Sequence, residues 1–545
     1  MGKKILLLGA NERACFSVAR NLNKHGYTIG VANWGYHPIA RSRFVNEFHV
    51  LPAMETDLAS FFHAFEELIS KNSYWLVLPV NDRAVEFLQF YKAGIEKYTI
   101  VGGINCPGAL LYSQNKYELW KVCKELGIHS PATQLVTSLE EFGNIKIALQ
   151  YPVIAKPVSS RKVAGNKLYS FTVRKFSSEE PLEDFIRERI LSIPILLQEV
   201  VNGFGIGFNF LSKNGKLLAY YMHERINEPK GGGESSYRKT ITTDKYGIVE
   251  KSRQLIERIN WNGVGMIEYK VDNGQTYIME LNGRFWGSIE LGIFAGMELP
   301  YWQVLYNYEA EPIPGHIITC EKEVYARNFL NDLLSCIKER SVKSLFKWIG
   351  SVPRMFRSTE RIEDSVFTDF RFRVSMWANL ASRMLTNRTQ SIKRKFISLE
   401  HNGIPAYKDL TKVLFVCEGN ICRSPFAEKY LQKIRPGIVA ASAGLQYQSS
   451  KMSPLKAVRT AAAEDIDLSG HRSRYIADID ANEFDAVFIM DKGNYLKLKK
   501  HHPGLLSKTY FLDQRQVIAD PFGKEMIEFE ICYKKIKELL DQKFS

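Results

Sequence analysis

Between Val413 and Pro425 the chain reads Val-Leu-Phe-Val-Cys-Glu-Gly-Asn-Ile-Cys-Arg-Ser-Pro. Five residues, Glu418, Gly419, Asn420, Ile421 and Cys422, separate Cys417 from Arg423. That is enough chain to curl until its backbone N–H groups point inward as an anion cradle. A thiol at the bottom of the cradle faces those N–H groups, the positive end of a following helix dipole and Arg423, so it attacks as a thiolate near neutral pH. Arg423 can grip two oxygens of a phosphoryl group at once. Ser424 is placed to hydrogen-bond the sulfur and make it a better leaving group in a second step. The bland alternative is a buried structural Cys beside a surface Arg.

A second set of groups lies upstream. Tyr151-Pro-Val-Ile-Ala-Lys156-Pro157 puts a lysine at a strand end, and Gly263-Val-Gly-Met-Ile-Glu268 precedes Tyr277-Ile-Met-Glu280-Leu-Asn282-Gly-Arg284. Glu280, Asn282 and Arg284 recur at every second position, so on a strand they share one face, and Glu268 can reach that face from a neighbouring strand. Two carboxylates and an amide oxygen suit Mg²⁺ held against nucleotide phosphates. Lys156 offsets phosphate charge, and Arg284 steadies a γ-phosphate or a developing acyl phosphate. The Gly-rich run Pro229-Lys-Gly-Gly-Gly-Glu is expected to close over the phosphates and exclude water.

These groups need elements to hold them. Val413–Val416 reads as a strand and Ser424-Pro425 as a helix start, giving strand, loop and helix around Cys417. Short apolar runs at Ile5–Leu8, Ile29–Ala32, Trp75–Pro79 and Thr99–Gly102 alternate with helical stretches, which predicts a parallel sheet with covering helices. Gly9-Ala-Asn-Glu after the first run is not a dinucleotide fingerprint. His25, His37 and Asp82 read as surface or capping residues.

The 545 residues imply several domains, and 45% hydrophobic with 24% charged is an ordinary globular composition. The apolar run of the N-terminus is too short for a signal peptide, and no apolar run approaches the roughly 20 residues that span a bilayer. Eight scattered cysteines, one of them nucleophilic, fit a reducing cytoplasm. Much of the net charge of +14 sits between Lys338 and Lys395, with 14 Lys and Arg against five Asp and Glu, interleaved with apolar residues. The preferred reading is a basic helical bridge packed on its neighbours; peripheral docking on an anionic membrane surface is the alternative. No recognition motif accompanies the charge, so nucleic acid is not expected as a partner.

The run Val-Cys-Glu-Gly-Asn-Ile-Cys-Arg-Ser-Pro resembles the active-site loop of the low-molecular-weight protein tyrosine phosphatases. The resemblance extends from Leu410 through Ala441-Ser-Ala-Gly444, His471-Arg-Ser, Val487-Phe-Ile-Met-Asp491 with Asn494, and Asp520-Pro521. It implies that Cys417 forms a phosphocysteine, that Asp520 protonates the leaving oxygen, and that the phosphatase needs no cofactor. Its substrate would be a phosphotyrosine protein, by analogy a bacterial tyrosine kinase controlling surface polysaccharide. Two departures stand out: Phe522 where many relatives carry Tyr, and Glu418, a carboxylate on the loop rim that narrows substrate choice or weakens dianion binding. Cys422 is read either as a reversible disulfide partner of Cys417 or as an apolar filler.

Over about residues 1–310 the chain resembles the ATP-grasp enzymes, in particular the carbamoyl-phosphate-synthetase-like group. The resemblance implies Lys116 and Lys156 as phosphate-contacting lysines, Glu199, Val200 and Val201 as the adenine hinge, Glu268, Glu280 and Asn282 as Mg²⁺ ligands, and Arg225 and Arg284 on the substrate and phosphate side. It implies ATP and Mg²⁺ as cofactors, with an unknown carboxylate and an unknown amine as substrates. The expected fold is multidomain α/β: an α/β domain over 1–110, a two-lobed α+β ATP-grasp domain over 111–315, a basic helical connector over 316–408, and a three-layer α/β/α phosphatase with a parallel sheet over 409–545. The expected function is bifunctional. The alternatives are an ATP-grasp half that senses nucleotide and gates the phosphatase, and a C-terminal domain that is arsenate-reductase-like.

Overall fold

The computed structural model describes residues 2–379 and 407–544, apart from 12, 55–56, 165–166, 191–192, 228–234, 310, 339–341, 366, 447–449 and 514–516. The Gly-rich loop and the connector from 380 to 406 therefore lie outside the described residues. The chain divides into two compact units, residues 1–137 with 147–177 and 193–381, and residues 382–545 with 138–146 and 178–192.

The first unit begins with the strands β1 (Lys4–Leu8), β2 (Thr28–Trp34), β3 (Glu47–Leu51), β4 (Leu76–Pro79) and β5 (Ile100–Val101). They form one parallel sheet in the order β3-β2-β1-β4-β5. The central strand Lys-Ile-Leu-Leu-Leu has no polar residue after Lys4 because helices cover both faces. Leu7, Ile29, Val31 and Leu78 pack on one side, and Leu6, Leu8, Phe61 and Phe87 on the other. Gly9 follows β1 with φ +90°, and a Cβ there would lie 2.3 Å from the Asn81 amide. Asn81 caps the helix Asp82–Phe90 by accepting from the Ala84 N–H at 3.1 Å.

A four-stranded sheet follows in the order β10-β7-β11-β6, built from β6 (Thr133–Val136), β7 (Val153–Pro157), β10 (Arg174–Phe176) and β11 (Ile195–Glu199); the hairpin β8 (Arg161–Ala164) and β9 (Lys167–Ser170) stands apart. The largest sheet runs β16-β15-β12-β13-β14-β18-β19, with β17 paired to β13. Its strands are β12 (Phe204–Lys213), β13 (Lys216–Asn227), β14 (Tyr237–Ile241), β15 (Gly263–Asp272), β16 (Gln275–Asn282), β17 (Ile318–Thr319), β18 (Tyr325–Arg327) and β19 (Glu360–Ile362).

The last three strands come from the stretch read as a connector, and its acidic residues turn inward. Buried Arg327 donates to Glu360 at 3.0 Å and to Asp332 at 2.7 Å. Asp364 accepts from the Phe329 and Leu330 N–H groups at 2.8 and 3.0 Å, capping the helix Phe329–Lys338. Asp369 accepts from the Ser42 hydroxyl at 2.7 Å and from the Arg43 N–H at 2.9 Å, and Phe372 stacks on Phe16 at 4.9 Å. The described residues of 316–379 thus belong to the first unit, with helices at Phe329–Lys338 and Val342–Ser351 between its strands. Removing one partner of a buried ion pair costs roughly 3–5 kcal/mol. A chain ended after Gly315 is therefore expected to be insoluble or molten, whereas one ended after Asn379 melts cooperatively in a thermal scan.

The second unit holds a parallel sheet in the order β21-β20-β22-β23, from β20 (Lys412–Cys417), β21 (Val439–Gly444), β22 (Ala486–Ile489) and β23 (Thr509–Phe511). Along β20, Val413, Phe415 and Cys417 join one core, and Leu414 and Val416 join the core on the opposite face. Among the described residues no helix is long and apolar enough to cross a membrane.

Candidate active sites

Cys417 ends β20 at the carboxyl edge of the parallel sheet, between β21 and β22, where connections leave in opposite directions. The loop then turns directly into the helix Arg423–Ile434, with Pro425 in its first turn. Asn420 makes that turn possible: it holds φ +52°, which Asn tolerates better than most residues. Its amide nitrogen donates to Ser424 at 3.0 Å and Ser442 at 2.7 Å, and its Oδ1 accepts from the Arg474 N–H at 2.8 Å. His471 Nε2 lies 2.8 Å from the Asn420 carbonyl; burial holds this imidazole below its usual range, so it donates as a neutral ring. Gly444 lets the loop approach, since a Cβ there would sit 3.0 Å from the Gly419 carbonyl carbon.

The loop brings together the groups the sequence singled out. The Cys417 sulfur accepts from the Ser424 hydroxyl at 3.0 Å and from the Asn420 N–H at 3.3 Å. Buried Arg423 donates to Asp520 at 2.5 Å, to Asp491 at 2.6 Å and to the Ile518 carbonyl at 3.0 Å. Burial opposes its charge, but the Cys417 sulfur, Asp520 and Asp491 outweigh that and raise its hold on the proton. Asp491 is the residue that sequence reasoning did not assign. It caps the helix Lys492–His501 with one oxygen and fixes Arg423 with the other. The signal for it was Asp three residues before Asn494, after the apolar run of β22.

The seven described cysteines are free thiols. Cys422 is buried, and desolvation pushes its thiol well up, so it is uncharged at neutral pH. On the rim, Glu418 is ion-paired with Lys497, which offsets the negative charge expected to repel a dianion. Phe522 is exposed, with the Lys451 ammonium 5.2 Å from its ring centre.

In the first unit, Glu268 and Glu280 are directly opposite across β15 and β16. Asn282 Nδ2 donates to both carboxylates at 3.2 Å, so the three expected metal ligands form one cluster. Among the described residues there is no group of three His, Cys, Asp or Glu side chains suited to a metal. Two carboxylates with one amide nevertheless fit a hard cation that takes its remaining oxygens from phosphates and water. Arg225 pairs with Glu268 at 2.7 Å, and burial, against that pull, raises the Glu268 carboxyl. Lys156 is buried, and desolvation brings its ammonium down to about 8 despite the opposing attraction of Glu280. Lys116 lines a cavity of about 100 Å³ with Glu280, Asn282 and Arg284, and donates to Ser160 at 2.8 Å. Glu199 ends β11 with its carboxylate accepting the Ala132 N–H at 2.9 Å, and the Val201 carbonyl accepts from Lys270 at 3.0 Å. Glu199 to Val201 thus lead from β11 of the four-stranded sheet towards β12 of the largest one.

Asp82, read as a surface or capping residue, opens the helix that Asn81 caps. Asp82 also grips Arg284 with both oxygens, at 2.7 and 3.2 Å. Burial opposes its charge, but Arg284 holds its carboxyl below the usual range. Burial and the neighbouring Asp82 push Glu86 in the same cavity up to about 7. Asp82→Asn removes the charge that aims the Arg284 fork. The expected result is a roughly tenfold to hundredfold lower kcat for acid-dependent ADP release, with nucleotide affinity little changed.

Residues 412–544 match the family model for low molecular weight phosphotyrosine protein phosphatases, and residues 193–320 match the model for ATP-grasp in the biosynthetic pathway with Ter operon. The low molecular weight protein-tyrosine-phosphatase Wzb of Salmonella typhi is 35% identical over 125 residues, 22% of this chain and 84% of that protein. The probable phosphatase EpsP of Ralstonia nicotianae is 31% identical over 131 residues, 24% of this chain and 90% of that one. Among solved structures, the L-amino acid ligase of Bacillus licheniformis is similar at 15% identity and a TM-score of 0.44, over 57% of this chain and 78% of that one. The chain belongs to the low molecular weight protein tyrosine phosphatases through its C-terminal domain, and upstream of it residues 193–320 match the ATP-grasp model.

Proposed function

We propose that the C-terminal domain hydrolyses protein phosphotyrosine with Cys417, Arg423, Ser424 and Asp520 as its working groups. The observation that carries this reading is the Cys417 sulfur at the bottom of the loop, 3.0 Å from Ser424 Oγ, with Arg423 held over it between Asp491 and Asp520. The thiolate attacks phosphorus while the guanidinium takes up the charge of the equatorial oxygens. The P–O bond to the tyrosine breaks, and Asp520 gives its proton to the leaving phenolate. In the second step Asp520 takes a proton from water, whose oxygen attacks the phosphocysteine; the Cys417 thiolate leaves, stabilised by Ser424. The two relatives are named protein-tyrosine-phosphatases, which supports a phosphoprotein substrate, and a bacterial tyrosine kinase is the partner of fitting chemistry. No cofactor enters these steps.

The N-terminal half is read as a ligase, within a chain laid out as an α/β domain over 1–110, an ATP-grasp domain over 111–315 and the phosphatase over 409–545, amended so that strands from 318–362 join the largest sheet of the ligase. Glu268, Glu280 and Asn282 would hold Mg²⁺, Lys116 and Lys156 the phosphates, and Glu199 to Val201 the adenine. Bound Mg·ATP supplies a γ-phosphoryl group to activate a carboxylate. Arg284 and Arg225 orient the acid, and closure of the cleft excludes water.

The phosphatase assignment is tested by varying the leaving group. For Asp520→Asn, kcat should fall about a hundredfold or more on phenyl phosphate but much less on phosphates of acidic phenols, which leave without a proton. Equal losses on both would remove Asp520 as the acid.

A further inference from the structure

The helix over 370–379 is tied to the first unit along one face and bare along another. Asp369 starts it, accepting from the Phe372 N–H at 3.3 Å as well as from Ser42 and Arg43. Phe372 stacks on Phe16, and buried Arg373 donates to the Glu363 carbonyl and lies 4.8 Å from the Phe16 ring centre. Phe370, Val374 and Trp377 recur at i, i+4 and i+7, so they form one stripe, and they are 68, 42 and 45% exposed. Phe367, three residues before the stripe, is 93% exposed. Single apolar side chains on a surface are ordinary; a helical stripe headed by a fully exposed phenylalanine marks a contact surface.

The charges around the stripe are sorted by sign. Residues 354–379 contain five arginines and four acids, so their sequence is nearly neutral. All four acids, Glu360, Glu363, Asp364 and Asp369, are at most 8% exposed, and each accepts from an arginine or a backbone N–H of the first unit. Arg354, Arg357 and Arg371 are exposed. An open cavity of about 490 Å³ brings Phe367 together with Arg43 and with Met355, which stands between Arg354 and Arg357 in the chain. Exposed Arg43 also donates to the Thr368 carbonyl at 3.1 Å, which keeps its positive charge beside Phe367. The surface is therefore basic as well as apolar, although the stretch that forms it is not. Past Asn379 the sequence adds Arg383, Arg388, Lys393, Arg394 and Lys395 before the next acid, Glu400, so the charge of the same sign continues along the chain.

We infer that the face made by Phe367, Phe370, Val374 and Trp377 with Arg43, Arg357 and Arg371 docks the protein on an anionic membrane surface. Phenylalanine and tryptophan rings enter the boundary between headgroups and acyl chains, and guanidiniums stay at the level of the lipid phosphates. The contact is peripheral, since no described helix is long and apolar enough to cross a bilayer. Packing as a bridge and docking on a membrane thus use two faces of one segment: Phe372 and the four acids point into the first unit, and the stripe and the exposed arginines point away from it.

The test is co-sedimentation of the full chain with vesicles of phosphatidylcholine alone and of phosphatidylcholine with about one-third phosphatidylglycerol. The expected result is pelleting with the anionic vesicles, none with the neutral ones, and release as salt is raised. Phe370→Ser combined with Trp377→Ser, and separately Arg357→Gln combined with Arg371→Gln, should each weaken vesicle partitioning about tenfold or more. All four side chains are exposed, so both variants should keep the wild-type melting temperature and aryl phosphatase rate, which shows that they are folded. No pelleting with anionic vesicles, equal pelleting with neutral ones, or pelleting unchanged in both variants overturns the inference. So does a dimer in sedimentation velocity that the serine variant dissociates while the wild type ignores vesicles, since a second copy of the chain then covers the stripe.

Discussion

Cys417→Ser is expected to lower kcat for aryl phosphate hydrolysis by about 10⁴-fold or more while leaving the fold intact. The sulfur accepts hydrogen bonds from the Asn420 N–H and the Ser424 hydroxyl, which hold it in place at the bottom of the loop. A serine oxygen in the same place is a far weaker acid, a poorer nucleophile and a poorer leaving group than a thiol sulfur. Arg423, still bonded to Asp491 and Asp520, keeps the phosphate site charged, so binding persists without turnover. Serine is also slightly smaller and polar at a buried position, and a few degrees of melting temperature is the expected structural cost. Initial rates on p-nitrophenyl phosphate, with tight binding of product phosphate by the variant, check both halves of the expectation. Hydrolysis near the wild-type rate would mean that another residue is the nucleophile.

The phosphatase loop was legible because its chemistry is contiguous. Cys417, Arg423 and Ser424 stand within eight residues on one strand–loop–helix unit, and Asp520-Pro521 is a dipeptide with its own turn signature. What the sequence withheld is what the sheet register supplies. Asp491 meets Arg423 from 68 positions away because β20 and β22 are neighbours, whereas its local spacing to Asn494 signals only a helix cap. The upstream cluster was legible for a related reason: alternation along β16 puts Glu280 and Asn282 on one face whatever the rest of the chain does. Asp82 reads as a surface or capping residue because it opens a helix and stays part-exposed, and only the tertiary position of Arg284 gives it a further partner. The stretch read as a connector packs on its neighbour as a bridge would, but it also supplies strands. Its composition is basic and amphipathic, but Glu360, Glu363, Asp364 and Asp369 are buried against arginines and helix N–H groups of the ligase unit. The strand β19 is only three residues long, too short for alternation to show.

Glu280→Gln is expected to reduce Mg-dependent ADP release by the ligase about 10³-fold, and the reason is two losses with one cause. Glutamine keeps the shape and can still accept the Asn282 amide, so the cluster of Glu268, Asn282 and residue 280 stays together. It removes one of two charges available to a divalent cation, leaving Glu268, which Arg225 already engages. It also removes the carboxylate whose attraction opposes the desolvation of Lys156. A lysine ammonium is present below its pKa and lost above it, so in the wild type nucleotide affinity should decline as pH rises through about 8. In Glu280→Gln that decline should begin at lower pH, because burial of Lys156 is then less opposed. Titrating a fluorescent ATP analogue from pH 6 to 9 separates the two losses: the metal effect lowers affinity throughout, and the lysine effect moves the midpoint. The same variant decides how the two enzymes relate. If aryl phosphatase activity ignores Mg·ATP in both proteins, the two sites work independently on one chain. A phosphatase rate that responds to Mg·ATP in the wild type and not in Glu280→Gln would instead make the N-terminal half a nucleotide-dependent gate, since Glu280 has no part in the chemistry at Cys417.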